Sequence, residues 1–187
     1  MSLLIPYIDK PNPLTGLTNG KLGTWLFLAS EVMLFGALFS TYIILASSTP
    51  NWPKGHEVLN VPLATLNTVV LIASSVTIVM AWASLKLNEF GKFRMYLGLT
   101  ILLSFVFLVV KYFEYSHKIH IGNIPSKHNY FAIYFTMTGL HGLHVVGGII
   151  VNLYLLFPGS KMWFSNPEQF TGRIECSGLY WHFVDLV

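Results

Sequence analysis

Residues 22–47 read LGTWLFLASEVMLFGALFSTYIILAS, with Glu31 the one charged side chain in the stretch. A helix needs about 20 mostly apolar residues to cross a bilayer core of about 30 Å. Inside lipid, every backbone N–H and C=O must find a partner within the protein, and a continuous helix meets that demand by itself. The stretch therefore reads as a membrane-spanning helix. Three further stretches read the same way, at residues 62–85, 95–112 and 130–157. Turn or charge signals bound them: Pro50 and Pro53, the charged segment 86–94, Gly122 with Pro125, and Pro158-Gly159. A fifth apolar run covers 174–187, and its 14 residues rise only about 21 Å at about 1.5 Å per residue. The expectation is that this last helix is incomplete in the chain. The fold class is all-α: a polytopic membrane helix bundle of five transmembrane helices.

Composition agrees. Of 187 residues, 53% are hydrophobic, only 10% are Asp, Glu, Lys or Arg, and mean hydropathy is +0.59. Soluble domains carry about 25% charged residues, so a water-soluble enzyme, a disordered chain and a fibrous repeat are all poor fits. One cysteine, Cys176, provides no internal disulfide framework. The net charge of +3 is small and scattered, which gives no basis for nucleic-acid binding. Residues 1–21 carry Pro6, Pro11 and Pro13 and lead straight into a full-length span, unlike a signal peptide. The organisation expected is a cytoplasmic N-terminal segment, 1–21, followed by a transmembrane domain, 22–187.

Lys10, Lys21, Lys86, Lys92, Arg94, Lys161 and Arg173 fall on one side of the spans, and Lys54, Lys118 and Lys127 on the other. The positive-inside rule then places the N-terminus in the cytoplasm. Trp25 and Trp82 lie near span ends and read as an interfacial aromatic belt.

Ionisable groups inside a membrane are costly and functional by default. Glu31 reads either as a proton-exchangeable group or lipid-headgroup ligand, or as a helix-packing hydrogen bond. Asn67, Ser74 and Ala81 recur every seven residues and read as a close-packing stripe. Lys111 and Glu114 are three apart, an ion pair near the interface. His117, His120 and His128 read as an exposed polar loop. His141 and His144 share a face of the fourth span. They could ligate haem or copper, but no complete ligand set accompanies them, and structural or lipid contact is the alternative. In the fifth run, Glu175, Gly178, His182 and Asp185 share a face that must turn inward. A Glu175–His182 proton relay and a satisfied interhelical network both remain open there.

The motifs Ser30-Glu31-Val32, Pro62-Leu63-Ala64-Thr65-Leu66-Asn67-Thr68, Thr138-Gly139-Leu140-His141-Gly142-Leu143-His144-Val145 and Tyr180-Trp181-His182-Phe183-Val184-Asp185 occur in this order. With them, the chain from about residue 22 onward resembles subunit III of the haem–copper terminal oxidases, cytochrome c oxidase type, in its short five-helix bacterial form. Two departures stand out: the first two helices of the long form are missing, and Lys111 stands where the long form usually has glutamine. The resemblance implies a multi-pass subunit of the bacterial cytoplasmic membrane that takes part in cytochrome c oxidation within a complex while holding no redox centre, catalytic residue or metal of its own. It implies subunit I as partner, with haem and copper held there. It also implies structural phospholipid, and support of proton uptake and stability in subunit I. Glu31 and the Leu66-Asn67-Thr68 sequence favour cytochrome c as donor over the quinol-oxidising relatives; nitric-oxide-reductase-associated homologues are a further alternative. Glu31, Asn67, His141, His144, Glu175, His182 and Asp185 are the expected polar, lipid-contacting or proton-linked interior. Two other classes compete: a stand-alone proton transporter using Glu31 and Glu175, and a membrane metalloenzyme using His141, His144 and His182.

Overall fold

The structure is a computed structural model that describes residues 13, 16–50, 52–53, 61–120 and 129–187. Its elements are α1 (Asn19–Ser48), α2 (Val61–Lys86), α3 (Phe90–His120), α4 (Asn129–Leu156), a 3-10 turn (Gly159–Phe164) and α5 (Pro167–Leu186). No strand occurs among the described residues. The first four helices are long and apolar enough to cross a membrane. The chain is a polytopic helical bundle.

Three of the expected spans match the helices to within three residues at either end. The third and fifth do not, for one reason: apolar runs mark where lipid is, and helices continue past it. Helix α3 runs eight residues beyond Tyr112 because Glu114 bonds to Lys111 one turn before it and Lys118 one turn after, so the charged turn carries its own pairing. His117 and His120 therefore belong to a helix end and not to a loop, while His128 lies outside the described residues. Helix α5 starts at Pro167, where proline's missing N–H costs nothing. Asn166 caps it, its side-chain oxygen accepting from the Gln169 N–H at 3.2 Å. At 20 residues it is about 30 Å long, longer than its apolar run alone.

Lys86 ends α2 and Phe90 opens α3. Asn88 between them sits at φ +59°. The Glu89 N–H bonds back to the Ser84 carbonyl at 2.9 Å and the Asn88 N–H to Leu85 at 3.0 Å. This paired return is a Schellman motif with asparagine in the left-handed position. It folds α3 back onto α2, and these two helices form the most extensive pairing in the bundle.

Helix α5 is the hub. It packs on α1, α2 and α4 and on the 3-10 turn, whereas the main packing of α1 among the described residues is on α4 and α5. The central layer contains Ala81, Phe93, Leu97, Val145, Phe170, Ile174 and Trp181, all essentially buried. Close approach of α4 and α5 depends on Gly148. A Cβ there would fall 2.6 and 2.8 Å from ring carbons of Trp181. The Trp181 indole N–H reaches across to donate to Ser74 Oγ at 3.0 Å. Ser74 belongs to the Asn67–Ser74–Ala81 stripe, and all three of its residues are buried. Hydroxyls outside the core, such as Thr24, Ser40, Thr41 and Thr136, donate to carbonyls four residues back in their own helix, which satisfies them without water.

Candidate functional site

The polar side chains inside the bundle are arranged helix to helix. Within the apolar stretches of their helices, Glu31 of α1 meets His144 of α4, with Oε2 2.8 Å from Nε2. Both side chains are largely shielded, at 13% and 15% exposure. The other imidazole nitrogen of His144, Nδ1, lies 2.8 Å from the Leu140 carbonyl oxygen. A carbonyl only accepts, so Nδ1 carries the hydrogen. Nε2 and Oε2 at 2.8 Å then hold one proton between them, as imidazolium with carboxylate or as imidazole with carboxylic acid. The pair is a one-proton unit at membrane depth. Phe35, nearly buried, sets its ring edge-on to His144 with centroids 5.3 Å apart. Tyr180 of α5 donates its hydroxyl to the His144 carbonyl at 2.9 Å, tying α5 to the same turn.

Toward the end of α3, Glu114 is 8% exposed and gathers three partners. Lys111 donates to Oε2 at 2.9 Å, Tyr134 of α4 donates to Oε1 at 2.8 Å, and Lys118 Nζ stands 3.2 Å from Oε1. The Lys118 contact is an ion pair without hydrogen-bond alignment, and its ammonium also sits 3.9 Å from the centre of the Tyr134 ring, a cation–π contact. The adjacent Tyr115 donates to Thr138 Oγ1 of α4. Two ammonium groups thus share one carboxylate, leaving one surplus positive charge.

The face of α5 is divided among neighbours. Glu175 binds Lys21 of α1 at 2.8 Å. His182 Nδ1 lies 2.6 Å from Ser75 Oγ of α2. Asp185 lines a cleft shared with Asn67, Lys111 and His141. Glu175 and His182 thus engage different helices and not each other. Ser177 donates to Asn152 Oδ1 of α4 at 2.7 Å. His141, one turn before His144, stands edge-on to Phe107 with centroids 5.8 Å apart and does not share the Glu31 contact. Among the described residues, no three His, Cys, Asp or Glu side chains come together as a metal site.

Sequence reasoning found Glu31, His144, Lys111 and Glu114 but not all their partners. Lys118 was legible, four residues beyond Glu114 on the same helix. Tyr134, Tyr180, Ser75 and Lys21 were not, since each contact joins helices whose order in space the sequence does not state.

A model of the family described as "Cytochrome c oxidase subunit III" matches residues 14–187. The chain is 38% identical over 182 residues to a protein of Nocardia farcinica described as probable cytochrome c oxidase subunit 3, covering 96% of this chain and 85% of that one. It is 34% identical over 171 residues to cytochrome c oxidase subunit 3 of Bacillus subtilis, covering 90% and 81%. It is 33% identical over 170 residues to the cytochrome bo(3) ubiquinol oxidase subunit 3 of Pseudomonas aeruginosa, covering 90% and 80%. With the family matched across nearly the whole chain, and the helical bundle and its ordered motifs in agreement, the chain belongs to the cytochrome c oxidase subunit III family of the haem–copper oxidases.

Proposed function

We propose that the chain is a non-redox accessory subunit of a proton-pumping oxygen reductase that takes electrons from cytochrome c. It lies in the bacterial cytoplasmic membrane with its N-terminus inside and binds subunit I, which carries the haems and copper. It holds structural phospholipid and supports proton uptake and stability in subunit I. The observation that carries this reading is the Glu31–His144 pair. It is a single-proton unit held between two helices, suited to tying α1 to the bundle and exchanging one proton. The Nocardia and Bacillus relatives, described as cytochrome c oxidase subunits, support cytochrome c as donor.

Purification of the tagged chain from its native membrane tests the proposal. The chain should bring down a haem-bearing subunit, and the complex should oxidise reduced cytochrome c. A haem spectrum carried by the isolated chain, or proton transport by the chain alone in liposomes, would overturn it. The Pseudomonas relative favours a second reading, a quinol oxidase subunit. Under that reading the same complex oxidises ubiquinol and ignores cytochrome c.

A further inference from the structure

A cleft of about 520 Å³ opens among the helices, lined by Phe35, Asn67, Lys111, Thr138, His141 and Asp185 among others. Its walls come from α1, α2, α3, α4 and α5. Two features set it apart from an apolar packing defect. Asn67 is 3% exposed, yet neither its amide nitrogen nor its amide oxygen has a hydrogen-bond partner among the described residues. His141 Nδ1 is likewise buried without one. Buried amides and imidazoles in native proteins are almost always bonded to protein or to ordered water.

We propose that this cleft is a hydration site, holding ordered water that bridges the Asn67 amide to His141. The choice of ligand follows from the donors and acceptors present. Asn67 offers both, and so does the site as a whole. The Lys111 ammonium is already engaged by Glu114 at 2.9 Å, and Asp185 contributes a carboxylate to the wall. A phosphate headgroup only accepts and would leave the Asn67 amide oxygen without a donor. An acyl chain would leave the amide and imidazole unbonded. Water donates and accepts at one atom, and a single molecule needs only about 10–15 Å³ of such space. Phe35 bounds the cleft and also packs edge-on against His144.

The test is a cryo-EM map of the intact oxidase in lipid nanodiscs, at a resolution that shows ordered solvent elsewhere in the complex. The expected result is a solvent peak within about 3.2 Å of the Asn67 amide, bonded directly or through a second water to His141 Nδ1. Asn67→Leu should abolish the peak at the amide while the Glu31–His144 contact persists. An acyl chain, a headgroup or a protein side chain in the cleft overturns the proposal. So do an empty cleft, a direct Asn67–His141 bond and a peak that survives Asn67→Leu. If that variant does not assemble, the wild-type map decides alone.

Discussion

Gly148→Ala is the sharpest probe of how α5 seats in the bundle. The new methyl would lie 2.6 and 2.8 Å from two carbons of the Trp181 ring and 3.2 Å from a Tyr180 ring carbon. No real Cβ tolerates the first two distances. Trp181 is 1% exposed, so its ring has nowhere to swing, and the helices must separate. Overpacking of this kind costs about 1–3 kcal/mol. Separation also breaks the Trp181–Ser74 hydrogen bond, worth about 0.5–1.5 kcal/mol. The sum is about 1.5–4.5 kcal/mol. Gly147→Ala is the matched control, because its Cβ meets nothing nearer than the Tyr180 hydroxyl at 3.6 Å, an ordinary contact. SDS titration of the reconstituted chain in mixed micelles, followed by tryptophan fluorescence, gives both stabilities. If Gly148→Ala lies within about 0.5 kcal/mol of wild type, the range of an innocuous substitution, then α4 and α5 do not approach as described.

Other substitutions test other contacts. Glu31→Gln should assemble normally, because the amide can donate to His144 Nε2 where the shared proton stood, and oxidase turnover should change only modestly; complete loss of electron transfer would contradict an accessory role. Glu31→Ala orphans that nitrogen and should cost about 1–3 kcal/mol, read as earlier thermal release of the subunit from the complex. Glu114→Ala strands Lys111, Lys118 and the Tyr134 hydroxyl and should cost about 3–5 kcal/mol. Lys111→Met should cost much less, since Lys118 remains, and equal losses for the two in the same titration would refute the shared-carboxylate picture. Asn88→Val forces a β-branched residue to positive φ and should cost about 1–2 kcal/mol, whereas Asn88→Gly should be neutral or stabilising in the same assay.

The spans were legible because lipid imposes one rule, continuous apolar helix, and three helices obey it to within three residues at either end. Where helices leave the apolar slab the rule lapses. Residues 113–120 and 167–173 are helical through side-chain pairing and capping, which apolar counting does not register. The interior acids and histidines stood out by cost alone, as Glu31 did. Their partners were another matter. Glu175 and His182 share a helix face at a spacing that suggests mutual contact, but a helix face seven residues long meets more than one neighbour, here Lys21 on α1 and Ser75 on α2. The glycines of the fourth span show the same limit. Gly139 and Gly142 have open space where a Cβ would go, while Gly148 has none. Composition marks a motif as small, and only the packing shows which member must be.

The partners of α1 have a consequence for how the bundle is made. Helices α2 and α3 are joined by a tight turn and meet as soon as both exist. Helix α1 precedes the other described helices in the chain, yet it pairs with the last two of them: Glu31 with His144, 113 residues later, and Lys21 with Glu175. Until α4 and α5 arrive, its intramembrane carboxyl group has neither of these neighbours. Helix α1 is thus seated only once helices made after it are in place, and it acts as a latch that α4 and α5 engage from behind. A lesion in α4 or α5 should therefore leave α1 inserted but unlatched, with membrane quality-control proteases able to reach it.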